Sequence, residues 1–154
     1  MAELLDQLRL DRPTLRIVLA NGCFELLHVG HVRYLRDARS RGDLLVVAVN
    51  EDRGLQNLKG SHRGLVPFEE RVELLLALEC VDYVTGFDEL TLEPTLRLLR
   101  PAVHAKGTDY TEDNLPEREV DRELGIEIAI CGDPKEHSST ALFRELQGRS
   151  ESAD

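Results

Sequence analysis

Residues 15 to 42 hold the stretch that most restricts what this chain can fold into. A short apolar run, Leu15-Arg16-Ile17-Val18-Leu19-Ala20, leads through a turn carrying two histidines into an amphipathic segment that ends at Gly42. Branched apolar residues in so short a run are what a strand buried in a parallel sheet requires. After the turn, Val32, Leu35 and Ala38 recur at helical spacing, which predicts a helix beginning near Gly30. The first amides of such a helix have no intrahelical acceptor, and its dipole aims its positive end back at the turn, the geometry that receives phosphate. His28 and His31 flank that place. A lone histidine at a helix start is most often a cap. Two of them bracketing Gly30 directly after a strand are a different matter: the glycine lets a ligand approach the backbone, and paired imidazoles can donate to a phosphate whose charge grows in a transition state.

The rest of the chain repeats the alternation of strand and helix. Leu4, Leu5 and Leu8 predict a short outer helix over residues 3 to 9, broken at Asp11-Arg12-Pro13. Leu44 to Asn50 reads as a strand buried on both faces, which completes a right-handed crossover with the first. From Glu51 to Val66 the chain turns polar and glycine-containing, a mobile basic loop placed to close over an anion. Pro67 opens a helix through Leu78, on whose polar side Arg71 can reach inward. Strands are expected at Val81 to Thr85, Ala102 to Ala105 and Ile126 to Cys131, with helices from Leu92 to Leu99 and from Pro116 to Leu124. Polar residues at the end of the fourth strand, Lys106-Gly107-Thr108-Asp109-Tyr110, stand where open parallel sheets bind ligands. Ser138, Ser139 and Thr140 cluster before Ala141, Leu142, Phe143 and Leu146; one hydroxyl is explained by N-capping, and three together can also donate to a phosphate.

This pattern predicts an α/β protein, a three-layer α/β/α Rossmann-like sandwich on a five-stranded parallel sheet, with the ligand across the carboxyl ends of the first and fourth strands. Residues 1–147 would form a single domain and residues 148–154 a disordered tail. The formal charge of −10 argues against a general nucleic-acid binder, so any polyanion site is local. No basic leader and no apolar run of membrane-spanning length is present, which points to the cytoplasm. Cys23, Cys80 and Cys131 form no CxxC pair and suit reduced thiols; Cys23, within the turn, reads first as a small packed residue and not as a nucleophile. Sixteen arginines accompany only three lysines, Lys59, Lys106 and Lys135. A compact ammonium tracks a single phosphate oxygen in a way a planar guanidinium does not, so the positions of the lysines matter.

Asn21-Gly22-Cys23-Phe24 followed by His28-Val29-Gly30-His31 is similar to the HxGH signature of the cytidylyltransferase-like nucleotidyltransferases. The resemblance extends through nearly the whole chain. The Gly42-Asp43 pair, Val47 to Asn50, Leu58-Lys59-Gly60, Arg63, Glu69 to Arg71, Ala77-Leu78-Glu79 with Val81-Asp82, and Lys106 to Tyr110 resemble most the heptose 1-phosphate adenylyltransferase branch, which often occurs fused to a sugar kinase. At 154 residues the expectation is a stand-alone transferase. Glu25 stands where that family usually has aspartate, Val66 where it has asparagine, and Glu136 where it has glycine, and Ser138-Ser139-Thr140 replaces Ser-Thr-Thr. Such changes put the acceptor, not the fold, in question.

The resemblance implies transfer of AMP from ATP to a sugar 1-phosphate, D-glycero-D-manno-heptose 1-phosphate first among them, with release of pyrophosphate. By the same resemblance His28, His31 and Lys59 are the catalytic residues. Asn21, Gly22, Cys23, Phe24 and Gly30, with Lys106, Gly107, Thr108, Asp109 and Tyr110 and with Ser138, Ser139 and Thr140, would bind the nucleotide. Arg63 and Arg71 are candidates for the acceptor phosphate. Mg²⁺ would be held through the nucleotide phosphates with no protein ligand set of its own. A homodimer is the assembly that the family suggests. Two alternatives stay open: a cytidylyltransferase using CTP and glycerol 3-phosphate or a similar alcohol phosphate, and a nucleotide-binding regulatory domain without turnover.

Overall fold

The computed structural model describes residues 1–59, 66–111 and 113–133, the first group with side chains up to residue 55. Five parallel strands, β1 (Ile17–Gly22), β2 (Leu44–Asn50), β3 (Tyr83–Phe87), β4 (Val103–Gly107) and β5 (Glu127–Cys131), form one sheet in the order β3-β2-β1-β4-β5. The helices are α1 (Ala2–Asp11), α2 (Val29–Ser40), α3 (Asp52–Lys59), α4 (Phe68–Leu76), α5 (Glu93–Leu99) and α6 (Arg118–Leu124).

Alternation along the strands sorts the core into two layers. Val18, Ala20, Leu45, Val47, Val49, Val103 and Ala105 face Tyr34, Leu35 and Ala38 of α2 and Leu75 of α4. Ile17, Leu19, Leu44, Val46 and Ala48 face Leu5 of α1, Leu96 and Leu99 of α5 and Val120 of α6. With both faces covered, every residue of β2 is buried, as its uninterrupted apolar run requires. The expected Rossmann-like α/β fold is the one observed. No helix among the described residues is long and apolar enough to cross a membrane.

Three of the five strands run further along the chain than their composition suggests. β1 was expected to end at Ala20, yet Asn21 and Gly22 continue in register with Ala48 and Val49. β3 and β4 likewise run to Phe87 and Gly107, because residues that look like turn formers still have backbone groups to pair. A larger correction concerns residues 51 to 66, where a mobile loop was expected. Their first half is helix α3. Leu55 is fully buried, worth about 1.5–3 kcal/mol, and that outweighs the roughly 1 kcal/mol that Gly54 costs inside a helix. Gly54 has its own reason: a Cβ there would lie 3.3 Å from the Asp88 backbone. Lys59 therefore closes a helix instead of sitting in a glycine-flanked loop. Its side chain, Arg63, and the hydroxyl cluster Ser138, Ser139 and Thr140 with the helix and tail expected after it lie outside the described residues.

Between α2 and β2 the chain passes directly against the start of β1. Asp43 accepts the Arg16 amide at 2.8 Å, and a Cβ on Gly42 would stand 2.5 Å from the Arg16 carbonyl oxygen and 2.7 Å from Val18. Backbone of a central strand cannot give way. Gly42→Ala should therefore lower stability by about 1–3 kcal/mol, read as a lower urea midpoint at unchanged m; an unaltered midpoint would show that this passage is looser than described.

Candidate functional site

The register of the sheet contains a fork. β1 and β4 pair only from Val18↔Val103 to Ala20↔Ala105. Beyond that rung each strand stays with its outer neighbour, β1 with β2 as far as Gly22↔Val49 and β4 with β5 as far as Gly107↔Cys131. The two halves separate where the order of the strands reverses, which is where open α/β sheets place a ligand. Asn21 and Gly22 end one arm; Lys106 and Gly107 end the other.

On the first arm Phe24 takes a left-handed backbone, φ 50°, an unfavourable state for a bulky side chain. Burial of its ring, 4% exposed, holds it there, folded back so that a Cβ on Gly22 would meet the ring at 2.9 Å. Only glycine fits beneath that ring. The chain then reaches His28, the extended N-cap of α2 (φ −142°), which makes no side-chain cap hydrogen bond. His28 and His31 stack with ring centroids 3.9 Å apart, and the Phe24 ring meets His31 edge-on at 5.1 Å. His31 N–H already donates to the His28 carbonyl at 3.0 Å. Val29 and Gly30, ahead of it in the first turn, have no acceptor within their own helix. Two imidazoles, two helix-terminal amides and the positive end of the dipole thus share one small region, an arrangement for holding an anion.

The second arm differs from expectation in what its lysine does. Lys106 is 5% exposed, and its ammonium donates to Asn21 Oδ1 at 3.2 Å and Glu117 Oε2 at 3.4 Å while lying 4.6 Å above the Tyr110 ring. It bridges the arms of the fork from below. Thr108 donates to the Asp133 carbonyl at 2.8 Å, Tyr110 N–H closes a turn onto the Gly107 carbonyl at 3.0 Å, and Asp109 is exposed. Burial, with the Asp109 and Glu117 carboxylates nearby, raises the Tyr110 phenol above its ordinary value.

Beneath Lys106 runs a buried polar row that sequence reasoning missed. His104 Nδ1 pairs with Asp121 Oδ2 at 2.9 Å with both side chains fully buried, and His104 Nε2 faces Asn21 Oδ1 at 3.5 Å. Glu117 also accepts the Leu92 amide at 3.4 Å. A histidine inside the otherwise apolar run Val103-His104-Ala105 was the available signal.

Arg71, a candidate for the acceptor phosphate, is engaged by the protein itself. Its side chain is fully buried. Nη1 donates to the carbonyls of Cys23 at 2.6 Å and Asn50 at 2.9 Å, Nε to that of Val66 at 3.0 Å, and Nη2 to Asp52 Oδ1 at 2.7 Å. Those contacts put it under the site as a tie between the ends of β1 and β2 and the entry to α4. The half-buried Cys23 lies over the same joint, its thiol 3.4 Å from Asn50 Oδ1. Cys80 and Cys131 have thiols raised by burial, Cys131 to about 11, which keeps both protonated and unreactive at neutral pH.

Removing the guanidinium leaves buried acceptors without donors, so Arg71→Met should cost about 3 kcal/mol or more. Arg71→Lys should recover only part of that, since an ammonium cannot span four acceptors in one plane. Chemical denaturation of both variants checks the order; equal stability of Arg71→Met and the parent would remove Arg71 from this role.

The chain is similar to known proteins. Residues 19–145 match the family described as cytidylyltransferase-like. Over 131 residues the chain is 47% identical to the bifunctional protein HldE of Geobacter sulfurreducens, covering 85% of this chain and 27% of that one. Against the bifunctional protein HldE of Geotalea uraniireducens the identity is 44% over 134 residues, 86% of this chain and 27% of the other. The chain thus spans little more than a quarter of the length of these relatives. Among solved structures, the lipopolysaccharide core biosynthesis protein of Thermoplasma volcanium superposes with a TM-score of 0.66 at 24% identity, over 79% of this chain and 99% of that one. Pantothenate synthetase of Thermus thermophilus superposes with a TM-score of 0.58 at 19% identity, over 87% and 61%. At such identities these two speak for the fold.

Proposed function

The chain belongs to the cytidylyltransferase-like family and is a nucleotidyltransferase, and on that premise we propose that it transfers AMP from ATP to a sugar 1-phosphate, D-glycero-D-manno-heptose 1-phosphate first among the candidates, and releases pyrophosphate. The observation that carries this reading is the stacked pair His28 and His31 at the start of α2, the helix that follows the β1 arm of the fork. The choice of ATP and of a sugar phosphate rests on the resemblance of Leu58-Lys59-Gly60, Arg63 and Lys106 to Tyr110 to the heptose 1-phosphate adenylyltransferase branch. Three cysteines without a disulfide suit a reducing compartment, and the cytoplasm is the proposed location.

The acceptor is already a phosphate monoester, so no side chain has to become a nucleophile. An acceptor phosphate oxygen attacks the α-phosphorus of the nucleotide, the bond from that phosphorus to the bridging oxygen of the β-phosphate breaks, and pyrophosphate leaves with the electron pair. The protein's part is alignment and charge. In this scheme His28, His31 and the Val29 and Gly30 amides hold the phosphoryl oxygens. Asn21 to Phe24 and Gly107 to Tyr110 form the two sides of the nucleotide site, and Lys106 keeps those sides together. Lys59 and the hydroxyls of Ser138, Ser139 and Thr140 are proposed to meet the transferred and departing phosphates, and Arg63 the acceptor. Among the described residues no group of three or more His, Cys, Asp or Glu side chains is placed to hold a metal ion, and the free amides that open α2 are donors to phosphate oxygen. Mg²⁺ would accordingly be held by the nucleotide's phosphates and water, and when bound it offsets their charge.

Pyrophosphate release measured with ATP and with CTP, each against a panel of sugar 1-phosphates and alcohol phosphates, tests the proposal. Turnover with ATP and a sugar 1-phosphate is expected. Turnover with CTP and glycerol 3-phosphate would replace it with the cytidylyl reaction, and nucleotide binding without release on any acceptor would replace it with a regulatory role. His28→Ala and His31→Ala should each lower the rate about a hundredfold or more. Lys59→Ala should reduce single-turnover chemistry more than nucleotide affinity, and Lys59→Arg should restore only part of it. Equal losses in both quantities would make Lys59 a ground-state contact.

A further inference from the structure

Tyr34 lies one turn beyond His31 on α2 and is 8% exposed. Its ring packs in the core with Ala20 and Ala105, work a phenylalanine would do equally well without the cost of burying a hydroxyl. That hydroxyl donates to the Ala105 carbonyl at 2.8 Å in a fully buried contact. Ala20↔Ala105 is the last rung that β1 and β4 share. Tyr34 therefore grips the sheet at the point where its two halves part. Burial raises the phenol far above its ordinary range, so it stays a donor at any working pH.

The other side of α2 is held as firmly. Gly132, at the exit of β5, has φ +90°, and a Cβ there would lie 3.1 Å from the Tyr34 Cα. Gly132 N–H donates to Asp37 Oδ2 at 2.9 Å, and Arg33 pairs with Asp133 at 2.9 Å. The opposite face of the fork is bridged by Lys106 and Asn21 at 3.2 Å.

We propose that Tyr34 is a positioning residue: by fastening α2 to the last rung common to β1 and β4, it sets the distance between the histidine turn on one arm and residues 106–110 on the other, and so the geometry in which one nucleotide is held by both. This rests on the reading of the fork as the nucleotide site. Tyr34 touches no substrate. It acts through the backbone of Ala105 and through the helix that carries His31. A misplacement of reacting groups by an ångström suffices to lower a rate about a hundredfold.

The test compares the full chain with Tyr34→Phe and with Gly132→Ala, which keeps the hydroxyl but presses on the Tyr34 backbone from behind. Thermal midpoint, ATP titration, single-turnover rate and backbone amide spectra are recorded for each. In the parent, ATP should shift amides on both arms, residues 21–31 and 106–110. In Tyr34→Phe the single-turnover rate should fall about tenfold or more with ATP affinity changed by no more than about threefold, and the ATP-induced shifts of residues 106–110 should differ from those of the parent. Gly132→Ala should move the rate and the spectra in the same direction. A lower thermal midpoint with unchanged rate, affinity and shifts in Tyr34→Phe would reduce Tyr34 to a packing residue and overturn the proposal. Should Tyr34→Phe fail to fold, a Gly132→Ala protein with parental rate and spectra would overturn it. A parent that releases no pyrophosphate on any acceptor refutes the transfer reading alone, because the ATP-induced shifts still decide the role of Tyr34; a parent in which ATP shifts neither arm refutes both.

Discussion

One buried guanidinium joins the parts of this protein that chemistry asks to stay together. Arg71 takes the carbonyls of Cys23, Asn50 and Val66 and the carboxylate of Asp52. Those are the end of β1, the end of β2, the chain entering α4 and the first turn of α3. Asp52 in turn accepts the Phe68 amide at 3.2 Å. Carbonyls at the ends of parallel strands have left the ladder and need donors. A planar group with five N–H bonds satisfies several at once and fixes their relative angles. The histidine turn begins at Cys23 and depends on that joint for its starting point.

A second buried polar system lies across the sheet from α2. Asp121, His104, Asn21, Lys106 and Glu117 form a connected row from α6 to the arms of the fork. Buried ionic groups are a doubtful source of stability, since desolvation offsets most of their attraction. Their use here is directional. Asn21 Oδ1 faces both Lys106 Nζ and His104 Nε2, so its carboxamide has a defined orientation at the end of β1.

What the sequence allowed to be seen followed from how each signal arises. Leu44 to Asn50 could be recognised as a strand covered on both faces because burial writes itself into an unbroken apolar run, and all seven residues are buried. The turn from Asn21 to His31 was legible because glycine and histidine at that spacing have few structural uses. Asn21 and Gly22 were assigned to the turn and belong to β1, since a backbone pairing with Ala48 and Val49 leaves no mark on side-chain identity. The helix at Asp52–Lys59 was hidden by Gly54, whose reason is the nearness of Asp88, a residue far away in sequence. Arg71 was singled out, but its partners are mostly carbonyl oxygens, which every residue has, so its role as a tie could not be read from residue types.

The strand order also sets a sequence of events for a chain that folds as it is made. Every partner of Arg71 lies between Cys23 and Arg71 itself, so that joint, with β1 and β2, can form from an early and fairly local part of the chain. β4 comes last but one in the sequence and must enter beside β1, on the side away from β2. Until residues 103–105 arrive, one edge of β1 has no neighbour, and an open strand edge invites pairing with other chains. The contacts across the fork, Asn21 with Lys106 and Tyr34 with Ala105, span 85 and 71 residues. Such closures are slow to form. The seam at which the nucleotide is proposed to sit is thus the last central seam of the sheet to close, and the candidate site comes into being only when the fold is nearly complete.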